Sequence, residues 1–142
     1  MPEIAKERPV YRNIHVTEII KYRLPAAGIV SILHRISGAL MFLLMPLVIW
    51  MFDNSVSSQV SFDRFASAFH VGLGFVPGWL LKLAVLALIW AYLHHFIAGL
   101  RHLWMDVYHT VSKEQGRHSA IFTLASSLLL TVLLGVKLFG LY

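Results

Sequence analysis

Residues 79–104 read WLLKLAVLALIWAYLHHFIAGLRHLW. After Lys82 this run carries no Lys, Arg, Asp or Glu until Arg101, yet it holds His94, His95 and His102. A helix rises 1.5 Å per residue, so the run is long enough to cross roughly 30 Å of hydrocarbon. Ionisable groups at membrane depth are expensive, on the order of 2.5–3.5 kcal/mol for an arginine at the centre of a span. They are usually kept because something polar or redox-active sits beside them.

Two further apolar runs flank this one. The first extends over residues 28–52 and opens with Ser31, His34 and Arg35. Pro46 lies inside it and should bend the helix, which membrane helices tolerate. The third covers residues 119–141 and has neither acid nor histidine; its single charge, Lys137, is near enough to the end to snorkel. Across all 142 residues 58% are hydrophobic and 13% charged, and mean hydropathy is +0.70. Soluble domains hold about 25% charged residues. The chain therefore reads as an all-α membrane protein, a bundle of three transmembrane helices. Residues 1–27 form a polar N-terminal segment and residues 28–142 the membrane domain.

Composition removes several chemistries. The absence of cysteine rules out a disulfide framework, a thiolate-held iron–sulfur cluster and a cysteine nucleophile. The net charge of +5 reflects membrane topology rather than nucleic-acid binding, because the basic residues flank apolar spans and form no long basic face. Residues 1–25 mix Glu3, Glu7 and Glu18 with basic residues before any apolar run, unlike a cleaved signal or a transit peptide.

Orientation follows from lysine and arginine. Lys6, Arg8, Arg12, Lys21, Arg23 and Arg35 precede or open the first span, and Arg101, Lys113 and Arg117 surround the second connection. The first connection has Arg64, with Lys82 just inside the next helix. The positive-inside rule then puts the N-terminus in the cytoplasm of a bacterium, with the chain in the inner membrane. Within residues 53–78, a stretch near 61–71 reads weakly as an amphipathic surface helix, followed by a Gly72/Gly74/Pro77/Gly78 turn cluster. Residues 105–118 read as a polar turn.

In this orientation the polar groups share one layer. His34 lies about 9 Å into the membrane, His95 about 13 Å, and Ser31 and Arg101 roughly 5 Å. Histidine in an apolar bundle, beside an arginine able to hold an acidic group, points to haem. His95 and His102 are seven residues apart, about 10.5 Å along the axis, so one helix supplies only one axial ligand. His34 sits beside Arg35 at the rim where propionates would lie, which favours a partner chain as donor of the second ligand. Gly99, four residues after His95, would admit a flat macrocycle or simply a close-packed neighbouring helix. His94 faces 100° away from His95, towards an interface or a partner. Arg101 reads equally as snorkelling to lipid phosphate or as touching haem, and His102 can pair with Asp106 one turn on.

These residues bring a family into view. Arg8-Pro9 lies ahead of the first span. Ser31-Ile32-Leu33-His34-Arg35-Ile36-Ser37-Gly38 opens it, and His95-Phe96-Ile97-Ala98-Gly99-Leu100-Arg101-His102, followed by Asp106, closes the second. Taken with span number and spacing, the chain resembles the cytochrome b-type membrane anchor subunits of succinate dehydrogenase, respiratory complex II. It departs from many relatives in the His94-His95 doublet and in Tyr11-Arg12-Asn13 after Arg-Pro.

The resemblance implies that His95 is an axial ligand of haem b, the other coming from a second membrane anchor subunit. It implies that Ser31 and Arg35 line a ubiquinone site, and that His34 contacts the haem propionate region, with Arg35, Gly99 and His102 in the haem surroundings. It also implies an iron–sulfur subunit and a flavoprotein subunit as further partners, beside the lipid membrane. No flavin or nucleotide motif is present, so the chain is not an enzyme on its own and succinate would be oxidised elsewhere in the complex. Two rival readings are a fumarate reductase anchor working with menaquinone, and a cofactor-free three-span structural or interaction protein.

Overall fold

The computed structural model describes residues 15–109 and 112–140; Arg8-Pro9 and Tyr11-Arg12-Asn13 lie outside them. Helices run in the order α1 Val16–Lys21, α2 Ala26–Leu43, α3 Met45–Val56, α4 Gln59–Ala68, α5 Gly78–Tyr108 and α6 Lys113–Leu138. Among the described residues the only β feature is a single bridge between Leu73 and Val76. Three helices, α2, α5 and α6, are long and apolar enough to cross a membrane. Large apolar side chains on their outward faces stay exposed, Phe42, Leu43, Leu103, Phe122 and Leu129 among them. Surfaces of this kind are buried by lipid or by another chain.

The first span is one helical run with a break. Pro25 leads into α2 with φ −66°, the fixed value that suits the first turn of a helix. At Leu44 the backbone departs to φ −91°, ψ 7°, and Pro46 follows in the first turn of α3. Proline has no N–H to offer the preceding turn, so the run bends there. The amphipathic surface helix is α4, two to three residues earlier than its sequence pattern suggests. A reciprocal Ser58/Ser61 capping box starts it, closing orphan backbone groups at the N-terminus. Phe65 holds α4 to the bundle, its ring 6.3 Å from Trp50. The chain then turns at Gly72, where φ is 109° and a Cβ would clash with the Val76 carbonyl. No other residue type fits.

The two remaining helices overrun their apolar stretches. α5 continues to Tyr108 and stops at His109 in the left-handed region, φ 48°. α6 starts at Lys113 because Ser112 and Gln115 form a second capping box, so residues 105–118 are mostly helical rather than a turn.

Packing of α6 explains how the bundle closes. Its buried residues are Gly116, Ala120, Thr123, Ser127, Thr131 and Gly135, a single stripe of small side chains at steps of three and four. Small residues let helix backbones approach where no hydrophobic force acts between helices in lipid. The Thr123, Ser127 and Thr131 hydroxyls donate to carbonyls of their own helix at 2.9, 3.1 and 2.7 Å, so they enter the core without unmet polar groups. Helix α5 thus has α2 on one side and α6 on another, with α2 and α6 also in contact.

Candidate functional site

The seam between α2 and α5 gathers the histidines. The His34 and His95 rings stack, centroids 4.0 Å apart with 21° between planes. The His102 ring lies 5.3 Å from His34. The layer expected from depth alone is therefore assembled from α2 and α5, with His34 between the other two.

His95 is held in one tautomer. Its Nδ1 lies 3.0 Å from the His34 carbonyl oxygen and 3.3 Å from Ser37 Oγ. A carbonyl only accepts, so Nδ1 carries the proton and donates. The Ser37 hydroxyl already donates to the same carbonyl at 2.9 Å, leaving its oxygen to share the Nδ1 proton. Nε2 then keeps its lone pair. Metal-binding imidazoles are commonly oriented this way, with the distal nitrogen tied to a backbone carbonyl.

Gly38 makes room for that ring. A Cβ at position 38 would lie 3.0 Å from His95 Cε1 and 3.4 Å from Nδ1. Ser37 and Gly38 therefore shape the His95 pocket, a role the sequence reading quoted in a motif but did not assign. The signal was their placement one turn after His34, on the face that meets α5. Gly99 is the opposite case. A Cβ there would meet only His34 Nε2, at 3.9 Å, ordinary contact. Packing among the described residues does not require that glycine.

His94 is not at an interface with another chain, as the sequence suggested. It is fully buried, at 0% exposure, and points to α6, where Nδ1 lies 3.2 Å from Ser127 Oγ. Ser127 donates its own proton to Leu124, so the imidazole donates to the serine. Trp90 stacks on the ring at 5.5 Å and 22°. Adjacent positions are 100° apart around a helix, so His94 reaches Ser127 of α6 while His95 reaches the His34 carbonyl and Ser37 of α2.

Arg101 also turns inward. Its Nε donates to Ser119 Oγ at 2.9 Å and a terminal nitrogen to the Gly116 carbonyl at 3.3 Å. It ties α5 to the start of α6 rather than reaching for lipid or the histidines. Ser31 is half-buried and Arg35 exposed, one turn apart on α2, on a side that leads out of the bundle. Asp106 is exposed and His102 half-buried.

The donor set fits a macrocycle better than a bare ion. Among the described residues no group of three or more His, Cys, Asp or Glu converges as a metal cage. What the seam offers is one imidazole with a free Nε2, and a second buried nitrogen, His34 Nε2, without a hydrogen-bond partner. A buried nitrogen left unpaired costs about 1–3 kcal/mol, and an acidic group entering the seam would satisfy it.

Sequence comparison agrees with this geometry. The profile of the succinate dehydrogenase/fumarate reductase transmembrane subunits matches residues 5–134. The succinate dehydrogenase cytochrome b556 subunit of Coxiella burnetii is 39% identical over 131 residues, covering 92% of this chain and 95% of the relative. That of Paracoccus denitrificans is 34% identical over 126 residues, covering 89% and 88%. That of Rickettsia felis is 25% identical, covering 94% and 95%. The chain belongs to the succinate dehydrogenase/fumarate reductase family of transmembrane cytochrome b subunits.

Proposed function

We propose that the chain is the haem- and quinone-binding anchor of a succinate:ubiquinone oxidoreductase in the bacterial inner membrane, its N-terminus in the cytoplasm. The observation that carries the reading is His95, whose Nδ1–H is engaged by the His34 carbonyl at 3.0 Å, leaving Nε2 for iron. His95 would hold haem b through Nε2, together with a second anchor subunit. His34 Nε2, unpaired and buried, takes a propionate at the rim, with His102 beside it. Gly99 supports this, since among the described residues no side chain takes up the space it leaves. Bound haem would supply one-electron redox chemistry.

Ser31 and Arg35 form the quinone contact. Both stand on α2 on a side open to a neighbouring subunit, and both present hydrogen-bond donors suited to a quinone carbonyl. The Arg35 guanidinium stabilises negative charge that develops on that oxygen as it is reduced. Electrons arrive from an iron–sulfur subunit and a flavoprotein subunit docked on the cytoplasmic face. The relatives named as succinate dehydrogenase subunits favour succinate oxidation over fumarate reduction.

The test uses the purified complex. A reduced-minus-oxidised optical spectrum shows a b-type haem, and quinone extraction yields ubiquinone. Losing a hydrogen bond to a charged group removes about 1.5–3 kcal/mol, so Arg35→Ala slows succinate-driven quinone reduction about 10- to 100-fold. Ser31→Ala slows it less, and succinate oxidation with a soluble dye acceptor is unchanged in both. A colourless complex, or full quinone reduction by Arg35→Ala, overturns the reading.

A further inference from the structure

The connection from α4 to α5 ends in a closed apolar tip that the haem and quinone chemistry does not use. Between Arg64 and Lys82 the sole ionisable side chain is His70. Two backbone hydrogen bonds close the tip. The Leu73 N–H donates to the Val76 carbonyl at 2.8 Å, and the Val76 N–H donates to the Leu73 carbonyl at 3.0 Å. Gly74 opens the turn between them with φ 60°, and Phe75 completes it. Beyond the tip the chain is pinned to the bundle at Gly78, which is buried where a Cβ would come within 2.7 Å of the Phe69 carbonyl. The tip is thus fixed at its base and turned outward: Phe75 is 98% exposed, Val71 83% and Leu73 43%.

Helix α4 beside it is built the other way. Its Phe65 ring and that of Phe69 meet edge to face at 5.1 Å on the side that packs against the bundle. Gln59, Asp63, Arg64 and Ser67 are exposed, and the Gln59 amide donates to Asp63 at 3.0 Å. That polar face suits water. The apolar side chains of the tip continue instead into Trp79, Leu80 and Leu83, exposed along the first turns of α5. Tryptophan gathers at membrane–water interfaces. At 100° per residue Trp79 stands about 160° around α5 from His95, away from the seam that faces α2. The three residues from Phe75 to Gly78 span at most about 10 Å. The Phe75 ring therefore stays near the level where α5 enters the bilayer, a distance comparable with a headgroup layer about 5–8 Å deep on each side.

We propose that this tip is an interfacial membrane anchor. Phe75, flanked by Val71 and Leu73, inserts among the headgroups and upper acyl chains of the bilayer beside α5. The tip carries no charge to select a headgroup, so the contact is with bilayer hydrocarbon in general. It holds the first turn of α5 at the membrane surface from outside the three spans.

The whole complex, reconstituted in phosphatidylcholine vesicles, tests this by spin labelling. This chain has no cysteine, so Phe75→Cys and Val71→Cys each place one label on it, and the unsubstituted complex treated alike supplies the background. Both side chains are exposed, so neither exchange removes packing. Oxygen partitions into lipid and a water-soluble nickel chelate does not. At both positions collisions with oxygen exceed those with the chelate, whereas a label at Asp63→Cys on α4 shows the reverse. Chelate collisions that dominate at Phe75→Cys and Val71→Cys place the tip in water and overturn the proposal. Labels there that meet neither reagent place the tip against another protein and overturn it too, as does the same collision ratio at Asp63→Cys as at Phe75→Cys.

Discussion

The two faces of α5 carry adjacent histidines with opposite fates. On the α2 side, His95 is half-buried, its Nδ1 engaged by a carbonyl and its Nε2 without a hydrogen-bond partner among the described residues. On the α6 side, His94 is fully enclosed, spends Nδ1 on Ser127 and keeps a buried Nε2 that is also unpartnered among the described residues. One position along the helix separates a partly open imidazole from one sealed inside the bundle. The difference lies in what each seam contains. The α2 seam supplies a second imidazole, a serine that shares a carbonyl, and a glycine that clears the ring. The α6 seam supplies small side chains whose hydroxyls are already spent on their own backbone.

The largest test of this contrast is the pair of alanine variants. His95→Ala abolishes the haem absorbance of the purified complex. His94→Ala keeps the spectrum but loses about 2 kcal/mol or more of stability, the cost of a buried cavity, read as a lower thermal midpoint. An exchange of these two outcomes would reverse the assignment of the faces.

Gly38 sharpens the same point from the other helix. A Cβ there already stands 3.0 Å from the His95 ring, and the branched methyls of Gly38→Val would push the imidazole out of register with its carbonyl. Haem content per complex should fall severalfold while assembly persists. Gly99→Ala meets nothing closer than 3.9 Å within the chain, so any haem loss it causes must come from the bound group itself.

The smallest effect belongs to the α6 seam. Hydrogen bonds between membrane helices average about 0.6 kcal/mol and reach about 1.7. Ser127→Ala removes the partner of His94 and should lower stability by about 1 kcal/mol, with haem content unchanged. A loss of haem in this variant would mean that the two seams are coupled, which their geometry does not require.

Much of the site was legible because charge in an apolar span has few explanations. His34, Arg35 and His95 stood out against long hydrocarbon runs, and the helical rise put His34 and His95 in one layer before any packing was known. Ser37 and Gly38 were visible only as letters in a motif. Their meaning depends on which helix faces theirs. The small stripe on α6 was present as Gly116, Ala120, Thr123, Ser127, Thr131 and Gly135, yet small residues in a hydrophobic run draw little notice beside leucines. Arg101 suits either lipid phosphate or haem by its position along α5, while its partners, Ser119 and the Gly116 carbonyl, belong to another helix and its start.

Sequence alone determined that this protein crosses the membrane on three helices and which groups stand at which step along each helix. Hydropathy, charge bias and a rise of 1.5 Å per residue are properties of a single helix. Only the tertiary structure decided which way each imidazole points and that Arg101 serves α6. Azimuth around a helix axis has no meaning until neighbours are in place. Those neighbours were chosen by close packing of small side chains, an interaction spread over whole helix faces rather than written in any one residue.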